Sequence, residues 1–585
     1  MNELSQESHD HRLVTWPTDR RPKGHRSTQG GRAVYRSGVS SIVVSDLSYA
    51  HPGSDILFSE VSFKVGSGDH AALIGINGIG KSTLLRILTG ELPAAEGEYS
   101  VPSDLLYMPQ DVGFSDPTQS VRSLLTSFAS PLLAEVGKKT NEAEALMLQG
   151  DAEAGMAFGE LLGEWGALGG YELESQWDSS LRRVVRGSLT EVGERPASSL
   201  SGGERKQLVI DVLFNSSAST LLMDEPDNYL DIPAKRWLED LLLATKKTVL
   251  FISHDRELLS RAANKVVTIE STGAWVHGGS YANYEEERDR RQELLGDALA
   301  RWQAEERRLY QFYKIMKVRA AQNFKNATKA NAAETRWKKF VDAGPPPPPA
   351  PKQQVRMRLR GGDSARRVLV LKGVGIDQLI SPFNLEIHFG ERVALIGPNG
   401  SGKSHLMGLL AQSTEPSAGT VEVGPRVSPG VFSQINQRED FVGRTVLDII
   451  GDLQSDEGTA MKSLARYGLQ HGARHPYDHL SGGQKARLEI LYLELEGHNL
   501  LLLDEPTDNL DIDATEELES ALDAFEGTVV AVSHDRAFLS KFDSYLFLGH
   551  DGTTFMIDEF ENALNVLHDH ALLKNPKIAA PLTAG

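Results

Sequence analysis

Gly75-x-x-x-x-Gly80-Lys81-Ser82 and Gly397-x-x-x-x-Gly402-Lys403-Ser404 are the segments of this 585-residue chain whose types and spacing point most directly to chemistry. Each follows an apolar run, AALI or VALI, and precedes a helical run. A glycine-rich loop between strand and helix offers backbone N–H groups to a phosphate, because no side chain holds the backbone away. Candidate contacts are Gly75, Asn77, Gly78, Gly80 and Thr83 in the first loop, and Gly397, Asn399, Gly400, Gly402 and His405 in the second. Lys81 and Lys403 would neutralise β- and γ-phosphate charge, and Ser82 and Ser404 would ligate Mg2+. Two matches, each in the strand–loop–helix context, leave little room for accident.

Asp224 and Asp504 close the buried-strand patterns STLLM and NLLLL. A carboxylate at the carboxyl end of a strand can hold Mg2+ through water. Glu225 and Glu505 follow directly, where each could polarise the water that attacks a γ-phosphate. A lone Asp-Glu pair is more often a solvated turn; the spacing to the glycine loops overturns that reading. His254 and His534 follow the strands TVLFIS and VVAVS, and at this spacing a γ-phosphate contact is expected of each.

These residues belong to an internal duplication. LSGGE at Leu200–Glu204 recurs as LSGGQ at Leu480–Gln484, and the Asp-Glu and His segments recur with them. Ser201 to Ser481, Glu225 to Glu505 and His254 to His534 share one offset in numbering, whereas Lys81 to Lys403 has a longer one. The first copy therefore carries extra chain, about forty positions long, between its glycine loop and its LSGG segment. A helical insertion near 135–165, rich in Ala, Glu, Leu and Met, accounts for it. The expected plan is an α/β fold: a disordered tail over 1–40, a first unit over 41–283, a helical hairpin over 284–343, a Pro-rich spacer over 344–365, a second unit over 366–550 and a tail over 551–585.

The hairpin rests on periodicity. Leu295, Trp302, Leu309 and Met316 recur once per heptad, with Ala298 and Phe312 between them as d-like positions. Ala333, Trp337, Phe340 and Val341 suit a returning antiparallel helix, with the turn near 317–326. Five prolines, Pro345 to Pro349, then favour a stiff extended spacer.

Composition removes other classes. Sixty-one basic against 80 acidic residues give a net charge of −19, which excludes a protein that coats nucleic acid uniformly. Zero cysteines exclude disulfide scaffolds, cysteine nucleophiles and Cys-ligated metal. No apolar run reaches the length expected of a membrane span, and the segment 1–40 holds no signal-like apolar stretch, so a cytoplasmic protein is expected.

Glycine loop, LSGG segment, Asp-Glu pair and histidine, in that order and twice, resemble the ATP-binding cassette superfamily with its Walker A, signature, Walker B and switch motifs. The resemblance implies ATP hydrolysis with Mg2+ and cassettes that meet head to tail within one chain, as a monomer. Lys81 would then share a nucleotide with Ser481, Gly482 and Gly483, and Lys403 with Ser201, Gly202 and Gly203. Gln110 and Gln434 match the family's Q-loop and are implied metal contacts. Tyr49, in DLSYAHPG ahead of Gly75, matches the aromatic that stacks on adenine. The same count back from Gly397 gives Leu371, in a stretch without an aromatic ring, so the two sites are expected to differ.

Twin cassettes joined by a long charged hairpin resemble the ABC-F group, which acts on ribosomes. Residues 311–340 carry a local net charge of +7 inside an acidic chain, suited to the phosphates of rRNA and tRNA. The resemblance implies a ribosome-binding ATPase whose linker works near the tRNA and peptidyl-transferase region. The family's Pro-Thr-Asn-His-Leu-Asp segment is altered here: Tyr229 and Asn509 stand at its His positions. That departure favours a resistance protein that protects the ribosome over a housekeeping translation factor. The ATPase subunit of a drug exporter with a separate permease is the alternative. Excision-type repair proteins of the superfamily use zinc-bound cysteines, which this chain lacks.

Overall fold

A computed structural model describes residues 32–36, 41–52, 56–113, 116, 118–270, 273–349, 355–433 and 438–584. In the first unit, Ala274–Gly278, Lys265–Ile269, His70–Ile74, Thr248–Ile252, Thr220–Asp224 and Leu105–Met108 form one sheet in that order. Its strands run parallel except at the Ala274–Gly278 edge. HAALI, TLLMD and TVLFI are buried at every position, as strands covered on both faces must be. The second unit repeats this core as Pro429–Phe432, Leu500–Asp504, Thr528–Val532, Arg392–Ile396 and Ser544–Leu548.

A smaller, mostly antiparallel sheet packs on each. Its core against the helix Lys81–Leu88 holds Leu84, Leu85, Ile87 and Leu88 with Val44, Phe58 and Val65. Both glycine loops leave the carboxyl end of a central parallel strand, the crevice where open α/β sheets bind ligands.

The two units interlock. Ile232 of the first is buried in the core of the second, and Ile512, its counterpart in the repeat, packs against the core of the first. The linker helix Tyr284–Gln322 starts from the first unit, where Tyr281 and Tyr284 are buried and stacked 5.2 Å apart. Arg288 binds Asp513 of the second unit at 3.1 Å.

The linker is a hairpin that turns through Phe324–Asn326 and returns as Ala327–Asp342. Leu309, Ala330 and Ala333 are buried in its seam, and Trp302 stacks on Phe340 at 5.3 Å. Trp337 stacks parallel to Tyr313 with centroids 5.8 Å apart, and donates its Nε1–H to Glu306 at 2.9 Å. Phe312, expected in the seam, is 48% exposed; Tyr313 occupies that place. An undistorted α-helix drifts about 20° per heptad, which favours the later of two adjacent positions.

Three other expectations are corrected. Arg32–Arg36, assigned to a patternless tail, is a strand paired parallel to Glu96–Pro102. Residues 1–31 and 37–40 lie outside the described residues. The 551–585 segment is no loose tail: Thr554–Ile557 and Ala580–Leu582 extend the second sheet, and Phe560–His568 buries Ala563, Leu564, Val566 and Leu567. The spacer ends in a strap. Val355, Met357 and Leu359 are buried in the second core while Arg356, Arg358 and Arg360 are exposed, the period-2 pattern of extended chain.

Candidate functional site

Both glycine loops are built alike. Gly80 and Gly402 have φ of 101° and 94° and cap the helices Lys81–Leu88 and Lys403–Leu410 without a side chain. A Cβ on Gly80 would stand 2.6 Å from Leu57 Cδ2, so the loop's close approach requires glycine. The helix N-termini are thereby left open to an anion. Lys81 Nζ donates to the Gly75 carbonyl at 2.8 Å and Lys403 Nζ to the Gly397 carbonyl at 2.8 Å, each folded back across its own loop.

The carboxylates face these loops. Asp224 is held by a side-chain hydrogen bond with Ser82, and Asp504 by one with Ser404. Asp224 Oδ1 is buried without a hydrogen-bond partner, and burial pushes its carboxyl above the ordinary range. A hydroxyl and a carboxylate oxygen converging beside a phosphate loop fit a hard divalent cation such as Mg2+. Gln110 Nε2 and Asn228 Nδ2 donate to Glu225 Oε2 at 2.7 and 2.5 Å. Gln434 lies outside the described residues.

Glu225 and Glu505 have φ of 48° and 49°, in a left-handed region that costs a non-glycine residue about 1 kcal/mol. The turn aims each carboxyl at its switch histidine: His254 Nε2 is 4.0 Å from Glu225 Oε1, and His534 Nε2 is 3.5 Å from Glu505 Oε1. Burial, then repulsion from Asp224, raises the Glu225 carboxyl. Burial, then Asp508 and Asp504, pushes Glu505 up to about 8. Both histidines are held well below their ordinary value, first by burial and then by Lys81 or Lys403, so the imidazoles are neutral.

The signature segments come from the opposite unit. Ser201 caps Gly202–Asn215 and Ser481 caps Gly482–Glu496, each in a reciprocal capping box with Glu204 or Gln484. One cavity of about 390 Å³ is lined by Asn77, Gly78, Gly80, Lys81, Ser82, Thr83, Gln110, Glu225 and His254, and by Ser481, Gly482 and Gly483 from across the interface. A second, also about 390 Å³, joins Asn399, Gly400, Gly402, Lys403, Ser404, His405, Asp504, Glu505 and His534 to Ser201, Gly202 and Gly203. Asn77 Nδ2 donates to the Asn509 carbonyl at 3.0 Å, and Asn399 Nδ2 to the Tyr229 carbonyl at 3.2 Å. These contacts are backbone on the acceptor side. That explains how Tyr229 and Asn509 replace the family's histidine without loss of the junction.

One residue moves out of the site. Tyr49 is only 6% exposed, stacked on Phe58 in the core, and lines neither cavity. His51 and Leu57 line the first cavity instead, with His51 edge-on to Tyr49 at 5.1 Å. Leu379 stands at the corresponding wall of the second.

Two lysines went unread in the sequence. Lys206 is fully buried and donates to the Glu225 carbonyl at 2.5 Å, fixing the strained turn; Ala486 is its counterpart in the repeat. Lys235 lines both cavities, and Thr515 is its counterpart. Each sits on the apolar face of a helix, and that misplacement of charge was the available signal.

The sequence profile of the family described as "ABC transporter" matches residues 58–228 and 380–508. An "Antibiotic resistance protein" of Mycobacteroides abscessus is 40% identical over 541 residues, covering 88% of this chain and 98% of its own. The tylosin resistance ATP-binding protein of Streptomyces fradiae is 31% identical over 527 residues, covering 83% and 93%. "ABC transporter F family member 2" of Arabidopsis thaliana is 28% identical over 553 residues, covering 92% and 80%. An archaeal ribosome recycling factor, solved with a ribosomal stalk protein, superposes with a TM-score of 0.50 at 18% identity, covering 86% and 87%, a likeness of fold alone. With paired phosphate loops each completed by the opposite unit's signature, and these relatives along nearly its whole length, the chain belongs to the ATP-binding cassette family, in its F group.

Proposed function

We propose that the chain hydrolyses ATP with Mg2+ at both interfacial cavities and uses its linker on the ribosome, giving antibiotic resistance by ribosomal protection. The loop amides with Lys81 or Lys403 bind the triphosphate from one side. The signature helix N-terminus, entering from the other unit, meets the γ-phosphate and so ties closure to ATP. Ser82 with Asp224, and Ser404 with Asp504, would hold the metal ion, which when bound neutralises charge on the β- and γ-phosphates. Glu225 and Glu505, in their ionised forms, orient the attacking water and accept its proton, while neutral His254 and His534 contact the γ-phosphate.

The observation that carries the ribosomal reading is the hairpin. Lys314, Lys317, Arg319, Lys325 and Lys329 are exposed around its turn, and among the described residues no helix is long and apolar enough to cross a membrane. Phosphate backbones attract such a tip, and the acidic cassettes do not compete for them.

Co-sedimentation with ribosomes tests it, using the Glu225→Gln/Glu505→Gln variant with ATP. The variant should travel with ribosomes. Replacing the five basic residues with Gln should weaken that association and reduce its salt slope by about 3.5, at roughly 0.7 per charge. Ribosome binding unchanged by all five substitutions would return the tip to a solvated helix end.

A further inference from the structure

Arg256 and Arg536 each follow a switch histidine two positions on, yet neither side chain turns into its own nucleotide cavity. Both cross the interface. Arg256 binds Glu519 through both terminal nitrogens, Nη1 at 3.3 Å, with Glu516 at 3.6 Å. Arg536 binds Glu239 through Nη2, with Asp255 at 3.6 Å and Arg261 also on Glu239. The two pairs are the same contact made twice, since Arg256 and Arg536, like Glu239 and Glu519, occupy equivalent positions of the repeat.

Their placement is specific. Glu239 and Glu519 lie within the helices Ile232–Ala244 and Ile512–Asp523. Those helices are capped by Asp231 and Asp511, the last residues of the segments whose carbonyls receive the opposing asparagines. Asp255 and Asp535 cap the short helices that start at Arg256 and Arg536, so each arginine is fixed to the turn that bears its histidine. Glu239 is fully buried, Arg536 is 5% exposed and Glu519 is 7% exposed. Charges this deep persist only when paired, and the arginine that each glutamate grips across the interface is present only while the units are shut, Glu239 keeping Arg261 of its own unit besides.

We propose that Glu519 and Glu239 are positioning residues acting in trans: each, by gripping the arginine beyond the opposing switch histidine, sets that histidine for the γ-phosphate only when the interface is closed. The idea rests on the ATPase reading above and deepens it. Nucleotide held by an open unit meets a histidine turn without its anchor. Hydrolysis in one cavity thereby depends on a carboxylate of the other unit that lines neither nucleotide cavity.

The test is a double-mutant cycle in the full chain carrying Lys403→Ala, so that turnover reports the first cavity alone, with Arg256→Gln, Glu519→Gln and both together, reading kcat, KM and nucleotide affinity. Glu519→Gln should lower kcat about tenfold, within the range that small misplacements cost, with nucleotide affinity changed less than about twofold. The double variant should be no slower than either single one, because both remove one interaction. A kcat in Glu519→Gln equal to that of the Lys403→Ala parent, losses that multiply in the double variant, or a fall in affinity equal to the fall in kcat would each overturn the proposal. Should Glu519→Gln fold poorly by its melting temperature, Arg256→Lys, which keeps the charge but not the two-pronged grip, must still reduce kcat. Failure of the underlying reading looks different: the unmodified chain would release no phosphate, or Lys81→Ala with Lys403→Ala would leave the rate intact.

Discussion

Lys235 Nζ lies 3.0 Å from Asp255 Oδ2, on the seam between the two nucleotide cavities. Asp227, Asp508 and Asp535 surround the same ammonium group. Burial pushes Asp227 and Asp508 up to about 6, in each case opposed by Lys235. The first unit thus supplies one cation for carboxylates from both. Lys235→Met should cost about 3–5 kcal/mol of closed-state stability, the penalty for stranding a buried charge. The chain has no cysteine, so an engineered cysteine pair across the interface can carry fluorophores that report closure. An unchanged closed fraction in Lys235→Met would show that Thr515 and water suffice there.

Glu225→Gln with Glu505→Gln should keep ATP binding and reduce phosphate release by at least about a hundredfold, the usual loss of a general base. The loops, Ser82, Asp224, Ser404 and Asp504 are untouched by the change. Phosphate release at the unmodified rate would remove both glutamates from the reaction.

Glu516 gives a pH signature. Its carboxyl is raised to about 7, first by burial and then by Glu285 on the linker helix, with which it shares a hydrogen bond. The docked form therefore holds a proton that the separated form releases. This stabilisation is complete below about pH 4.5 and is lost as pH rises through about 7. The melting temperature of the wild type should fall relative to Glu516→Gln between about pH 5 and pH 8. Parallel curves for the two proteins would mean that the pair does not titrate there.

The cavity walls proposed to receive adenine differ, with His51 and Leu57 lining the first and Leu379 the second. In Lys403→Ala, which leaves the first cavity, His51→Ala should weaken ATP binding by about 1–3 kcal/mol if the ring stacks on the base as aromatics do. Leu379→Ala in Lys81→Ala should cost less, because an aliphatic wall gives no stacking. Equal losses measured by nucleotide titration would make the two walls equivalent.

The glycine loops, Asp-Glu pairs, histidines and signature serines were legible because each motif is a local device. A glycine spacing sets a loop, a capping box starts a helix, and a heptad lays out a seam, all within a few turns of chain. The internal repeat then fixed their order twice. Tyr49 shows where such reading stops. Pairing between Ile42–Ala50 and Ile56–Val65 shifts register on both sides of Tyr49, which turns the ring inward and leaves His51 at the cavity. Counting residues along a strand cannot reveal a bulge, and one extra residue exchanges the faces. Lys235, and the pairing of Arg256 with Glu519 far along the chain, were equally hidden. Charge on an apolar helix face marks a partner without naming it, and only the closed interface, where burial leaves each ion few neighbours to pair with, decided which one.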